Sequence, residues 1–376
     1  MQEIKLILFI LIWLAITIMG FYFNKSKKCY TIIICTFLCL MLLCKDSYDI
    51  ANYRRAYDEH IFHSKEWFFD YIRQLSWENG LSFDCFRSIW CIIIVILLYK
   101  GIKKYSNYAA LVSVFFFIVP FLSGFITQMR NSLAGAIIVY ALPFLVSDKK
   151  NDYMKYIICV IIASFVHIMS IIYLVLLIPR LVNVSYKNFH IFCIIGTCVS
   201  VIFIFNITDI MSLWIEAYAG RIPNEFVAKN LLRFRLYFQE GMRSNATGFF
   251  FAAGHQLIVY YYSLKAYNRC FQSREYVFYN RNSIEKLGEI MDLLLFIIPL
   301  YAISMQMQRI FFYCSPLFYG IIVQSNMELH NKKGNKKIMV PSDLLYLLGF
   351  LIGIYIISIY HTSEDFLRCI NGMYIW

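Results

Sequence analysis

The chain has 376 residues, 60% of them apolar and 15% charged, with a formal net charge of +12. A mean hydropathy of +0.61 excludes an ordinary soluble domain, in which about half the residues are apolar and about a quarter charged. The basic residues stand in short groups between apolar runs, which argues against nucleic acid and reads as membrane orientation signalling with attraction to anionic lipid or phosphate. The twelve cysteines are scattered, mostly within apolar runs, with no CxxC or Cys/His spacing. Zinc and a disulfide framework are therefore not expected.

The first apolar run, 4–23, is expected to be an uncleaved span. Glu3 offsets Lys5, the basic group Lys25, Lys27 and Lys28 follows the run, and no small-residue cleavage site appears. Further basic groups are Lys100/Lys103/Lys104, Lys149/Lys150/Lys155, Arg180/Lys187, Lys265/Arg269/Arg274/Arg281/Lys286 and Lys332/Lys333/Lys336/Lys337. Short cytoplasmic loops carry such an excess, and an apolar run of ~20 residues crosses a bilayer. Placing every group inside puts both termini outside. Spans then fall near 4–23, 30–44, 86–100, 107–123, 129–147, 190–206, 246–264, 287–304, 309–326 and 342–361.

The segment 156–179 has basic flanks on both sides. A re-entrant helical pair broken around Phe165, Val166 and His167 keeps the charge rule; a single crossing would put every later basic group outside. The expected fold is thus an all-α integral membrane protein with about ten transmembrane helices, a re-entrant helical pair and two long outer loops, 45–87 and 207–247. The first loop mixes aromatics with charges, as an interfacial helix pair would. No internal repeat or soluble linker appears, so the chain reads as one polytopic domain over 1–376.

No Walker loop, GxSxG, HExxH or dinucleotide fingerprint is present. What remains is a transporter, a transferase acting on lipid-linked substrates, or an accessory membrane protein. Charges at the membrane discriminate best, because they are costly there. Arg130 and Arg309 open the fifth and ninth spans at the outer face, each beside Gln or Asn. A forked guanidinium there matches phosphate oxygens; an arginine snorkelling to the interface is the alternative.

Asp49 and Tyr53 lie just beyond the second span. Asp49 can take up or orient a hydroxyl proton, or it can cap the helix from Ile50 onward. His167 and His255 each suit a buried neutral histidine or a proton shuttle, and Asp292 a pairing or capping group. In the second outer loop, Arg233, Arg235 and Arg243 accompany Trp214, Phe234 and Tyr237. That mixture suits sugars and diphosphates, or an amphipathic helix on lipid headgroups.

An ordered set of short motifs resembles the EpsG-like, Wzy-type polysaccharide polymerases. It comprises Asp49-x-x-x-Tyr53, the stretch Glu66-Trp67-Phe68-Phe69, Arg130-x-x-x-Ala134, Ala163 to Ser170 around His167, and Arg309 before Phe312 and Tyr313. The resemblance implies a glycosyltransferase of the bacterial cytoplasmic membrane that joins polyprenyl-diphosphate-linked oligosaccharides, as in O-antigen, lipopolysaccharide or capsule synthesis. It implies Asp49, Arg130 and Arg309 as catalytic and Tyr53, Arg233, Arg235, Arg243 and His255 on the substrate, with His167 structural or a further site residue. No metal, cofactor or nucleic acid is implied; a chain-length regulator and a flippase are the implied partners. A lipid-linked oligosaccharide flippase is the alternative function.

Overall fold

The computed structural model describes residues 2–45, 47–62, 67–149, 151–182, 185–224, 228, 231–232, 235, 246–272, 281–332 and 341–361. Its elements are helical. They are α1 (Gln2–Tyr22), α2 (Lys27–Leu43), α3 (Tyr48–Asp58), α4 (Trp67–Glu78), α5 (Phe83–Ile102), α6 (Ala109–Phe116), α7 (Met129–Val146), α8 (Asp152–Val166), α9 (Tyr186–Ala219), α10 (Ala246–Gln272), α11 (Arg281–Leu293), α12 (Gln308–Lys332) and α13 (Ser342–His361), with short 3-10 and π segments between several of them. Serine starts three of the early helices. The Oγ of Ser26, Ser47 and Ser82 accepts the backbone N–H of Cys29, Ile50 and Cys85, each at 3.3 Å, satisfying a donor that a helix leaves orphaned at its first turn.

Two compact units result. The first comprises 1–178, 262–284 and 312–376; the second comprises 179–261 and 285–311. In the first, α5 packs on α7 and α7 on α8, while α2 lies against both α5 and α6 and α1 against α6. Glycines permit close approaches here. A Cβ on Gly101 would stand 3.0 Å from the Tyr140 backbone, and one on Gly320 would stand 2.8 Å from the Tyr105 carbonyl oxygen. In the second unit, Ile215 of α9 and Ile303 form a small core with Ile204, Leu231 and Leu300.

The polarity of the surface is inverted relative to a water-soluble protein. On α9, Ile191, Phe192, Ile195 and Ile202 are exposed, and on α5 so are Ile89, Ile92, Ile93 and Ile96. Several polar groups lie inside in pairs. The Gln324 carboxamide accepts from Ser106 Oγ at 2.8 Å within the first unit, and within the second His190 Nδ1 lies 2.9 Å from Asp292 Oδ1. The reading of Asp292 as a pairing group therefore holds. Exposed apolar rows of this length suit lipid, not water. Among the described residues, three helical stretches are long and apolar enough to cross a membrane, Phe83–Ile102, Met129–Val146 and Tyr186–Ile204; shorter apolar ones are Phe9–Tyr22, Ala109–Phe121, Ile168–Leu181 and Ser342–Ile354.

Two elements depart from the expected boundaries. α9 continues to Ala219, past the expected end of its span at 206. Its 34 residues extend about 50 Å, more than a ~30 Å hydrocarbon layer needs. The stretch expected as one span over 287–304 is interrupted instead. α11 ends at Leu293, a 3-10 turn covers Leu294–Ile297, and Ser304 is extended. Pro299 removes a backbone donor just there.

The segment after α8 folds back on it. α8 ends at His167, whose N–H bonds the Ala163 carbonyl at 2.8 Å, and a 3-10 helix covers Ile168–Leu177. The Tyr156 hydroxyl donates to the Tyr173 carbonyl at 2.6 Å, across 17 residues of sequence. In an unbroken α-helix those positions would lie about 25 Å apart. The break expected around Phe165–His167 is thus present, with His167 half-buried at the tip.

Candidate functional site

Within the first unit, α3 and α4 form the helix pair expected between the second and third spans. Ser47 starts α3, so Asp49 sits in the first turn and not at the cap. That removes capping as the explanation for Asp49, although a carboxylate there still complements the helix dipole. α3 is fastened to α5 by Arg54, which donates to both Asp84 oxygens at 2.7 and 3.4 Å, and to the turn before α5 by the Tyr57 hydroxyl, which donates to the Leu81 carbonyl at 2.8 Å. Buried Arg87 of α5 reaches the carbonyls of Met41 and Cys44, the latter at 2.6 Å. It thereby satisfies carbonyls at the end of α2.

Phe69 of α4 ties these helices together. Its ring meets Tyr53 of α3 edge-on at 5.7 Å, and Trp90 of α5 edge-on at 5.2 Å. The Trp90 indole N–H in turn donates to the Met129 carbonyl at 2.9 Å, which fixes the first turn of α7. The next residue is Arg130. Its Nε donates to the Tyr53 hydroxyl at 3.0 Å, and its guanidinium carbon stands 5.5 Å from the Tyr53 ring centroid and 5.7 Å from that of Phe69.

These contacts border an open cavity of about 320 Å³ lined by Asp49, Asn52, Tyr53, Ala56, Ile61, Phe69, Asp70, Arg73 and Arg130. Its α3 wall follows from spacing, since 49, 52, 53 and 56 share one helical face. Its α4 wall holds two buried charges, Asp70 and Arg73, each 4% exposed. Arg73 donates to Asp70 Oδ1 at 2.9 Å and to the Ile61 carbonyl at 2.6 Å. Burial holds the Arg73 guanidinium below its ordinary pKa; Asp70 opposes that shift and the neighbouring Arg130 reinforces it. Chemically, the cavity offers two guanidiniums, two carboxylates, an amide and aromatic faces. That set suits a phosphorylated sugar: forked donors for phosphate and a carboxylate for a hydroxyl proton.

The structure therefore brings Asp49, Tyr53 and Arg130 together. It adds Asn52, Asp70 and Arg73, which motif reading passed over. The one trace of Asp70 and Arg73 in the sequence is an acid and a base three positions apart on an aromatic helix, a pattern that a solvated helix face shares. Glu66 of the same motif lies outside the described residues, as do Arg233 and Arg243.

Of the remaining candidates, His167 lies in the first unit and does not line this cavity, and the others belong to the second unit. Arg235 pairs with Glu216 at 2.8 Å. His255 is fully buried, with Nδ1 at 3.3 Å from Gln308 Nε2 and its ring edge-on to Phe311 at 5.5 Å. Arg309 follows Gln308 at the start of α12 and is half-buried.

An all-helical scaffold, outward apolar rows and charges buried in pairs define a helical membrane protein. Residues 45–371 match the EpsG family, and the chain belongs to that family. The matched region begins just before α3 and includes the whole cavity. No curated protein and no solved structure matches the chain.

Proposed function

We propose that this protein is a multi-pass enzyme of the bacterial cytoplasmic membrane that joins polyprenyl-diphosphate-linked oligosaccharide repeat units at the outer face. The observation carrying this reading is the convergence of Asp49, Tyr53 and Arg130 on one cavity at the start of the family-matched region. About ten crossings and a re-entrant α8 hairpin follow from the basic groups, with both units in one membrane domain and 45–87 outside.

In the proposed step an acceptor hydroxyl attacks the anomeric carbon of the growing chain. The bond from that carbon to the diphosphate oxygen breaks, and its electron pair leaves with the polyprenyl diphosphate. Arg130 stabilises the departing charge, and Asp49 takes the hydroxyl proton. Tyr53 holds the Arg130 guanidinium in place through its hydroxyl. His255 and the loop arginines Arg233, Arg235 and Arg243 contact the oligosaccharide in this scheme. A flippase supplies the units and a chain-length regulator sets their number.

Gel analysis of surface polysaccharide from a deletion strain tests the reading. Without a polymerase, single units still cross and are attached, so the glycan collapses to core plus one repeat. Unsubstituted core with no single-repeat band would instead indicate a flippase, and a normal ladder would overturn both.

A further inference from the structure

Arg73 is a buried charge with incomplete pairing. It is 4% exposed, and its Nε has no hydrogen-bond partner among the described residues. Its compensation is one carboxylate and one carbonyl, although a guanidinium carries five N–H donors. A buried cation ordinarily needs fuller pairing, because desolvation is costly. A second cation stands nearby: the guanidinium carbons of Arg73 and Arg130 lie 5.4 and 5.7 Å from the centroid of the same Phe69 ring. The cavity sets these two cations against two carboxylates, Asp49 and Asp70, and leaves the Arg73 Nε donor unmet among the described residues. A bound anion would meet the orphaned Arg73 Nε donor and set an opposite charge between the two guanidiniums.

We infer that Arg73 and Arg130 together form a two-cation seat for a diphosphate, with Asp70 as the positioning residue that fixes the Arg73 fork. The inference rests on the proposed transfer reaction and gives its leaving group a specific place. A diphosphate presents phosphate oxygens at two centres and so can reach both guanidiniums at once; a monoester reaches only one. Phe69, between α3, α5 and α7, holds the spacing. Asp49, Asn52 and Tyr53 line the α3 wall of the same cavity and in this arrangement meet the sugar that the diphosphate carries.

The test uses the purified full chain in detergent and titrates inorganic pyrophosphate by calorimetry, with glycerol 3-phosphate as a mimic of a phospholipid headgroup. Wild type should bind pyrophosphate at least about 10-fold more tightly than glycerol 3-phosphate. Arg73→Gln should weaken pyrophosphate binding by about 10-fold or more, and Arg130→Gln similarly. Arg73→Lys keeps the charge beside Asp70 and is the fallback should Arg73→Gln not fold; it should fall between the two. Unchanged pyrophosphate binding in a folded Arg73 variant would overturn the seat. Equal affinity for glycerol 3-phosphate would also overturn it, in favour of a phospholipid headgroup site. The two readings fail separately. Arg73-dependent binding with a normal ladder in the deletion strain would remove the polymerase and leave the seat. Loss of polymer in Arg73→Gln with unchanged binding would do the reverse.

Discussion

Asp49 and Ser47 divide two tasks that one acidic residue at a helix start can perform alone. Ser47 accepts the Ile50 N–H, so Asp49 is spared capping and faces the cavity. The two positions should therefore separate in mutagenesis. Ser47→Ala should lower stability by about 1 kcal/mol and leave polymer formation largely intact, as read by thermal unfolding and surface glycan length. Asp49→Asn should fold normally and lose polymer formation by about 100-fold, within the range expected of a general base. Arg130 is tested by charge-preserving replacement. Arg130→Lys keeps a cation but loses both the fork and the Nε donor to Tyr53, so its loss of polymer should approach that of Arg130→Ala, on the order of 100-fold. Full activity in well-inserted Arg130→Lys would reduce the residue to an interfacial anchor. Asp49, Tyr53 and Arg130 were legible in the sequence because each stands at the end of an apolar run beside other polar residues. Asp70 and Arg73 were not, because a charged pair on a short amphipathic helix looks like a solvated face until packing buries it.

At the scale of elements, close helix crossings carry much of the fold, and glycine permits them. A Cβ on Gly320 would meet the Tyr105 Cβ at 2.7 Å and its carbonyl oxygen at 2.8 Å, and a backbone atom cannot rotate away. Gly320→Val should cost roughly 1–3 kcal/mol by overpacking, measured as a fall in the detergent melting midpoint. Gly349→Ala, which meets nothing within 4 Å, should be neutral. The α8 hairpin has its own electrostatic anchor at Asp152, which accepts from Lys155 at 2.8 Å and Ser147 at 2.6 Å. The Lys155 hydrogen bond, then that from Ser147, hold the Asp152 carboxyl below its ordinary pKa. A depressed carboxylate adds stability above its unfolded-state pKa and loses it as pH falls through the folded value. Asp152→Asn should thus destabilise the protein near neutral pH, with the difference from wild type vanishing in acid below the ordinary carboxylate range. The hairpin itself was legible from its basic flanks. The long reach of α9 and the break at Pro299 were not, since hydropathy reports where lipid is tolerated and not where backbone hydrogen bonding stops.

Across the whole molecule, the basic groups serve two purposes that composition alone merges. Lys265 and Arg269 lie in an expected inner group, yet both pair with Asp343 at 2.9 Å and so join the end of α10 to the start of α13. Orientation remains their collective role in the proposed topology. Reporter fusions after Lys28, Lys104, Lys187, Asn282 and Lys336 should report cytoplasm, and fusions after Ser64 and Asn230 should report the outside. Lys187 on the outside would replace the re-entrant hairpin by a crossing, despite the Tyr156–Tyr173 contact. The central claim is bond formation between lipid-linked units, and reconstitution measures it most directly. Lipid-linked single repeats extracted from the deletion strain, supplied to the purified full chain in proteoliposomes, should be converted to oligomers. One polyprenyl diphosphate should be released for each new glycosidic bond, and Asp49→Asn protein should form neither product. Repeats that remain single in the presence of correctly inserted wild-type protein would contradict the account.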